Sequence, residues 1–137
     1  MIKLVRLKGG MIVKKIFVFL ALLVFLSGCG NGDSYIFSGS GENWDVSYTV
    51  NVSNGTREET NGTIKYIGED PVPETVSYKI GTVLNTSEVQ NTDVKNGVIN
   101  LGNDFCDGCA VTLKDAKIAV EINWNGQTED INLTNGK

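Results

Sequence analysis

The chain of 137 residues contains no histidine. Histidine is the usual general base of nucleophile pairs, the commonest metal ligand, and the side chain that titrates unperturbed between about pH 5 and 8. Its absence excludes Ser-His-Asp and Cys-His catalysis, His-based metal sites and any imidazole switch. Proline is nearly as scarce: Pro71 and Pro73 are the two prolines, both in one short segment. The two methionines, Met1 and Met11, both precede Cys29. Positive charge is thin beyond that cysteine. Five of the twelve basic residues (Lys3, Arg6, Lys8, Lys14, Lys15) lie upstream of Cys29, and all sixteen acidic residues lie downstream. From Cys29 onward seven basic side chains face sixteen acidic ones, a net charge of −9 against −4 for the whole chain. No nucleic-acid partner is expected of such a surface. The length suits one ordinary domain and not two.

Long hydrophobic runs are also missing, with one exception. Ile16 to Leu26 is an unbroken apolar stretch of eleven residues preceded by Lys14 and Lys15. A bilayer-spanning helix needs about twenty apolar residues, so this run has the length of a signal-peptide core. Leu26-Ser27-Gly28-Cys29 follows it directly. That tetrapeptide resembles a bacterial lipobox, and the segment around residues 11–29 resembles a lipoprotein signal peptide. The resemblance implies a diacylglyceryl group on the Cys29 thiol and cleavage between Gly28 and Cys29. A thiolate is the best side-chain nucleophile for thioether formation, and small residues at 27 and 28 let a peptidase reach the backbone. A plain secretory signal with a chance cysteine and an uncleaved anchor are the alternatives. Met11 is a plausible start, because Met11-Ile-Val-Lys-Lys15 is already a complete basic n-region.

The expected organisation is therefore a signal peptide over 1–28, a lipidated cysteine and flexible tether over 29–41, and a β-sandwich over 42–137. Gly30 to Ser34 reads as the tether proper. Tyr35-Ile36-Phe37 is a possible first short strand, and Ser38-Gly-Ser-Gly41 is a second soft stretch. A surface of net charge −9 is repelled by an anionic leaflet, so the lipid on Cys29 must supply the attachment.

Downstream the pattern is of strands. Trp44, Val46, Tyr48, Val50 and Val52 alternate with Asp45, Ser47, Thr49 and Asn51. This period of two describes a strand with one face buried. Ser53-Asn54-Gly55 marks a turn. Ile118, Val120, Ile122 and Trp124 alternate in the same way before Asn125-Gly126, the strongest short hairpin signal. A two-residue loop there pairs Val120 with Ile131 and Ile118 with Leu133. It also sets Glu121 against Asp130, a pair that must face solvent. Weaker strands are expected at 63–67, 74–80, 98–101 and 110–113, with residues 82–89 ambiguous. Glu69 to Pro73 interrupts the ladder, because proline donates no backbone bond. No 3.6-residue periodicity competes. About seven to nine short strands predict an all-β fold, a single antiparallel β-sandwich of Ig-like general shape. The fourteen asparagines supply turns.

Cys106-Asp-Gly-Cys109 is the local motif with chemical potential. A structural disulfide, an inert thiol pair, a thioredoxin-like redox pair and half of a metal site all fit a CxxC spacing. The redox reading needs a helix after the first cysteine, and Ala110-Val-Thr-Leu113 is β-prone. The metal reading needs ligands that the chain beyond Cys29 supplies only by dimerising. A disulfide closing a tight loop outside the membrane suits the setting. Acidic turns at Asn103-Asp104 with Asp107 and at Glu69-Asp70 lack calcium-loop spacing. Trp44 and Trp124 sit at core-type strand positions, with a ligand platform as the alternative. No catalytic residue, cofactor or metal site is expected.

Phe37-Ser-Gly-Ser-Gly-Glu-Asn-Trp44, Cys106-Asp-Gly-Cys-Ala-Val111 and Ile122-Asn-Trp-Asn-Gly-Gln-Thr-Glu129 resemble small lipoproteins of Gram-positive bacteria. That resemblance implies an extracytoplasmic, membrane-anchored location and an all-β domain, and it adds no catalytic residues. The expected function is binding, or a structural or accessory role in the cell envelope, with an envelope protein or a small ligand as partner. A thiol-redox or metal-handling protein using Cys106 and Cys109, and an immunity or inhibitor lipoprotein, are the alternatives.

Overall fold

A computed structural model describes residues 13–15, 18 and 32–136. Residues 13–15 and 18 are helical. Among the described residues no helix is long and apolar enough to cross a membrane. Leu26, Ser27, Gly28 and Cys29 lie outside the described residues. The chain divides into two units, Met1–Asn31 and Gly32–Lys137, and the strands among the described residues lie in the second.

The strands are β1 (Gly32–Ser40), β2 (Trp44–Ser53), β3 (Arg57–Tyr66), β4 (Thr75–Gly81), β5 (Thr86–Asp93), β6 (Val98–Asn100), β7 (Asp104–Asp107), β8 (Ile118–Trp124) and β9 (Gln127–Asn135). They form an antiparallel sheet in the order β5-β4-β8-β9-β1-β2-β3-β6, with β7 also on β3. The fold is all-β, and the sheet bends over itself into a nearly closed, barrel-like sandwich. β1 meets β9 at a junction of only two pairs, Phe37 with Asn135 and Ser38 with Thr134.

Alternation decides which face is buried. Trp44, Val46, Val50 and Val52 of β2 point inward with Ile64 and Tyr66 of β3. They meet Val76, Tyr78 and Ile80 of β4, Ile118, Val120, Ile122 and Trp124 of β8, and Ile131 and Leu133 of β9. Phe37, Trp44 and Ile122 are fully buried. The C-terminal hairpin has the expected register, with Trp124 opposite Gln127, Val120 opposite Ile131 and Glu121 opposite Asp130. Asp130 is exposed, as a like-charge pair requires.

The segment expected as tether and soft stretch is instead a full strand. Residues 32–40 form β1, paired along its whole length with β2. Gly39 and Gly41 serve close approach and not flexibility. A Cβ on Gly39 would stand 2.6 Å from the Asn132 carbonyl oxygen, and one on Gly41 would stand 1.8 Å from Glu129 Oε1. Glycine is the residue that lets β9 lie against this corner. Residues 110–113 form no strand. The edge of β3 that could receive them is taken by β7. The ambiguous stretch resolves into a turn followed by β5.

The β8–β9 turn has Asn125 at φ 46° and Gly126 at φ 75°. These are the left-handed values of a type I′ hairpin turn. Gly126→Val should lower stability by about 1–2 kcal/mol, because a β-branched residue resists that conformation. Gly32→Val should change it by less than about 0.5 kcal/mol, since the nearest atom to its Cβ is at 3.4 Å and an edge of β1 accepts valine. Urea denaturation midpoints of the two variants check the contrast.

Candidate functional site

The site nominated by the sequence is the Cys106/Cys109 pair, and its position follows from how β3 fills its outer edge. β6 pairs with residues 63–65 of β3. β7 pairs with residues 57–60, so Cys106 stands opposite Glu58 and Phe105 opposite Glu59. β6 and β7 are thus one edge strand interrupted at Leu101–Asn103. Between Asn100 and Asp104 the chain advances four residues while β3 moves three, from Thr63 to Thr60. The extra residue is a bulge. Gly102, at φ 74°, absorbs it, and its N–H donates to Asn100 Oδ1 at 2.8 Å.

Cys106 and Cys109 are joined by a disulfide, with Cα atoms 6.0 Å apart. Cys106 is a strand residue and no helix follows it, so no helix dipole acts on its sulfur. Two further contacts hold the loop after the strand. Gly108 N–H donates to the Thr56 carbonyl at 2.8 Å. The Glu58 carboxylate accepts from the Thr112 backbone N–H and, at 3.1 Å, from the Thr112 hydroxyl. Glu58 therefore takes the backbone donor that a strand at 110–113 would have used. These anchors are independent of the sulfur bridge. Cys106→Ser with Cys109→Ser should fold and lose about 2 kcal/mol, the chain-entropy figure for so short a loop. A thermal melt measures the loss, and alkylation under denaturing conditions should label wild-type protein only after reduction.

Beside this loop, β1, β2, β3 and β7 enclose a cleft of about 260 Å³, whose walls include Gly32, Val52, Arg57, Glu58, Glu59 and Phe105. Phe105 is 61% exposed. The Arg57 guanidinium lies 5.7 Å from the Phe105 ring centroid, and Arg57 Nε donates to Asp107 Oδ2 at 3.4 Å. Asp33 also lines the cleft, so acidic groups outnumber the single arginine. No sequence pattern marks Phe105 and Arg57 as neighbours, because 48 positions separate them and a bulged edge joins them.

The remaining candidates are structural. Trp44 and Trp124 pack edge to face at 5.6 Å, and Trp44 packs on Tyr66 at 4.9 Å, so neither indole offers a ligand platform. Trp44 Nε1 is buried without a hydrogen-bond partner. Glu129 is a staple across the β1–β2 turn. Its carboxylate accepts from the backbone N–H groups of Asn43 and Trp44 at 3.1–3.3 Å and from Asn43 Nδ2 at 2.9 Å. The Tyr48 phenol is pushed above its ordinary pKa by burial and by the charges of Glu58 and Asp104, against a lowering hydrogen bond with Thr60. Among the described residues, no three Cys, Asp or Glu side chains gather as a cation site. Comparison with protein-family models, curated proteins and solved structures returns no match.

Proposed function

We propose that the protein is a lipid-anchored binding or accessory component of the bacterial cell envelope, held on the extracytoplasmic face by a diacylglyceryl group on Cys29. The observation that carries this reading is Leu26-Ser27-Gly28-Cys29 placed directly behind an apolar run of eleven residues. Two acyl chains give the stable attachment that a domain of this negative charge cannot obtain from its surface. The strand β1 begins at Gly32, so only Gly30 and Asn31 separate it from the lipidated residue. A binding role rests on the cleft beside β7. Asp107 already pairs with Arg57, Glu58 is held by Thr112, and Asp33 and Glu59 remain, so the cleft suits a cationic or polar group better than an anion. The disulfide shapes this wall and needs no catalytic part.

Cys29→Ala should abolish incorporation of labelled palmitate and block processing between Gly28 and Cys29. Gel fluorography of cells fed labelled palmitate reads the first effect, and the size of the accumulated precursor reads the second. Undiminished label in the variant overturns the proposal.

A further inference from the structure

Five tight turns join neighbouring strands or bridges: three carry Asn-Gly, at 54–55, 96–97 and 125–126, each with positive φ, and the β1–β2 turn centres on the polar pair Glu42 and Asn43. The β4–β5 turn departs from this rule. Its central residues are Val83 and Leu84, and they are 100% and 90% exposed. Turn centres ordinarily take Gly, Asn, Asp or Pro, because those residues meet the backbone requirement. Two consecutive aliphatic side chains in full contact with water contribute nothing to folding, and their exposure is unfavourable.

The turn is also closed on itself. Thr82 N–H donates to the Asn85 carbonyl at 2.9 Å, and Thr82 Oγ1 accepts from the backbone N–H groups of Leu84 and Asn85 at 3.3 Å. The Thr86 hydroxyl donates to the Thr82 carbonyl at 3.1 Å. These bonds satisfy the N–H groups of Thr82, Leu84 and Asn85, which lowers the cost of bringing the turn into an apolar medium. From Ile80 to Ser87 no residue is charged.

Strand direction places this tip. β1, β9, β8 and β4 are successive antiparallel neighbours. Each step reverses the chain, so the end of β4 and the start of β1 share one end of the sandwich. The tip therefore lies at the end where the chain enters the domain at Gly32. The strand ends here carry Asp33, Glu58, Glu59 and Asp107 against Arg57, and the connections differ between the two ends. Connections at this end carry Lys114 and Lys117 against Asp115, whereas those at the far end carry Glu42, Glu69, Asp70 and Glu74 against Lys95.

We propose that Val83 and Leu84 form a second membrane contact, a rigid apolar tip that enters the lipid surface beside the anchor. The inference rests on the lipid-anchor reading for its orientation. The occupant is a bilayer because the uncharged tip shares its end with the chain entry, where the lipid attachment would hold the domain. The tip sets the tilt of the domain on the membrane, which a single point of lipid attachment does not fix.

The test uses the full lipidated chain carrying Leu84→Trp, reconstituted in phosphatidylglycerol and phosphatidylethanolamine vesicles with or without brominated acyl chains. Trp44 and Trp124 are buried in the core and give a constant background. The added indole should shift to the blue on reconstitution and lose most of its emission to the brominated lipid. Val72→Trp, in the connection at the far end, should do neither. Equal emission of Leu84→Trp in the two vesicle types overturns the proposal. So does a blue shift that grows with protein concentration in detergent alone, which assigns the tip to a second copy of the chain. Palmitate label on the same preparation separates this result from the anchor: label without quenching removes the tip alone, and quenching without label removes the anchor alone.

Discussion

Trp44→Ala should lower the stability of the domain by about 3–5 kcal/mol, the range for emptying a large buried aromatic site. Trp44 is fully buried. Its ring joins Tyr66 of β3 to Trp124 of β8, so it bridges strands from both halves of the bent sheet. The backbone offers no easy collapse, because the Trp44 N–H is held by Glu129 of β9. A domain of this size has about 5–15 kcal/mol in total, so the loss is a large share of it. Trp44→Phe should cost much less, since it keeps most of the ring and removes the unpartnered Nε1 donor. Urea unfolding followed by circular dichroism gives both values, and similar midpoints for the two variants would contradict the argument.

Gly62→Ala should cost about 3 kcal/mol or more although it adds one methyl group. That methyl would stand 2.3 Å from the Ser47 carbonyl oxygen and 3.1 Å from the Tyr48 Cα, both backbone atoms of β2. Backbone paired along ten positions cannot give way locally, so β2 and β3 must separate where they are most extensively joined. Gly97→Ala is the useful comparison. Gly97 has φ 77° and no atom within 4 Å of its Cβ, so only the conformational penalty of about 1 kcal/mol applies. Thermal melts should rank Gly62→Ala far below Gly97→Ala.

Strands buried on one face are legible from the sequence pattern. β2, β8 and β9 alternate because one face meets the core and the other meets water, and period two records that difference directly. The Asn125-Gly126 turn then set the register of its hairpin, since its length leaves one pairing. β5 was not legible. It is an edge strand with most residues exposed, so no alternation marks it. β7 was missed for a related reason, as Asp104–Asp107 has a wet surface and lies between turn-forming residues.

Composition and local pattern alone determined the all-β class, the exclusion of histidine chemistry and the expectation of an anchored Cys29. Each depends on residue types and on neighbours a few positions apart. Tertiary structure decided what Gly39, Gly41 and Gly62 are for, because a glycine that permits close approach looks in sequence like one that permits flexibility. It also decided that Arg57, Asp107 and Phe105 form one wall, and that Val83 and Leu84 stand in water at the end where the chain enters. Those facts depend on which distant strands become neighbours, and burying the two halves of one bent sheet against each other makes that choice.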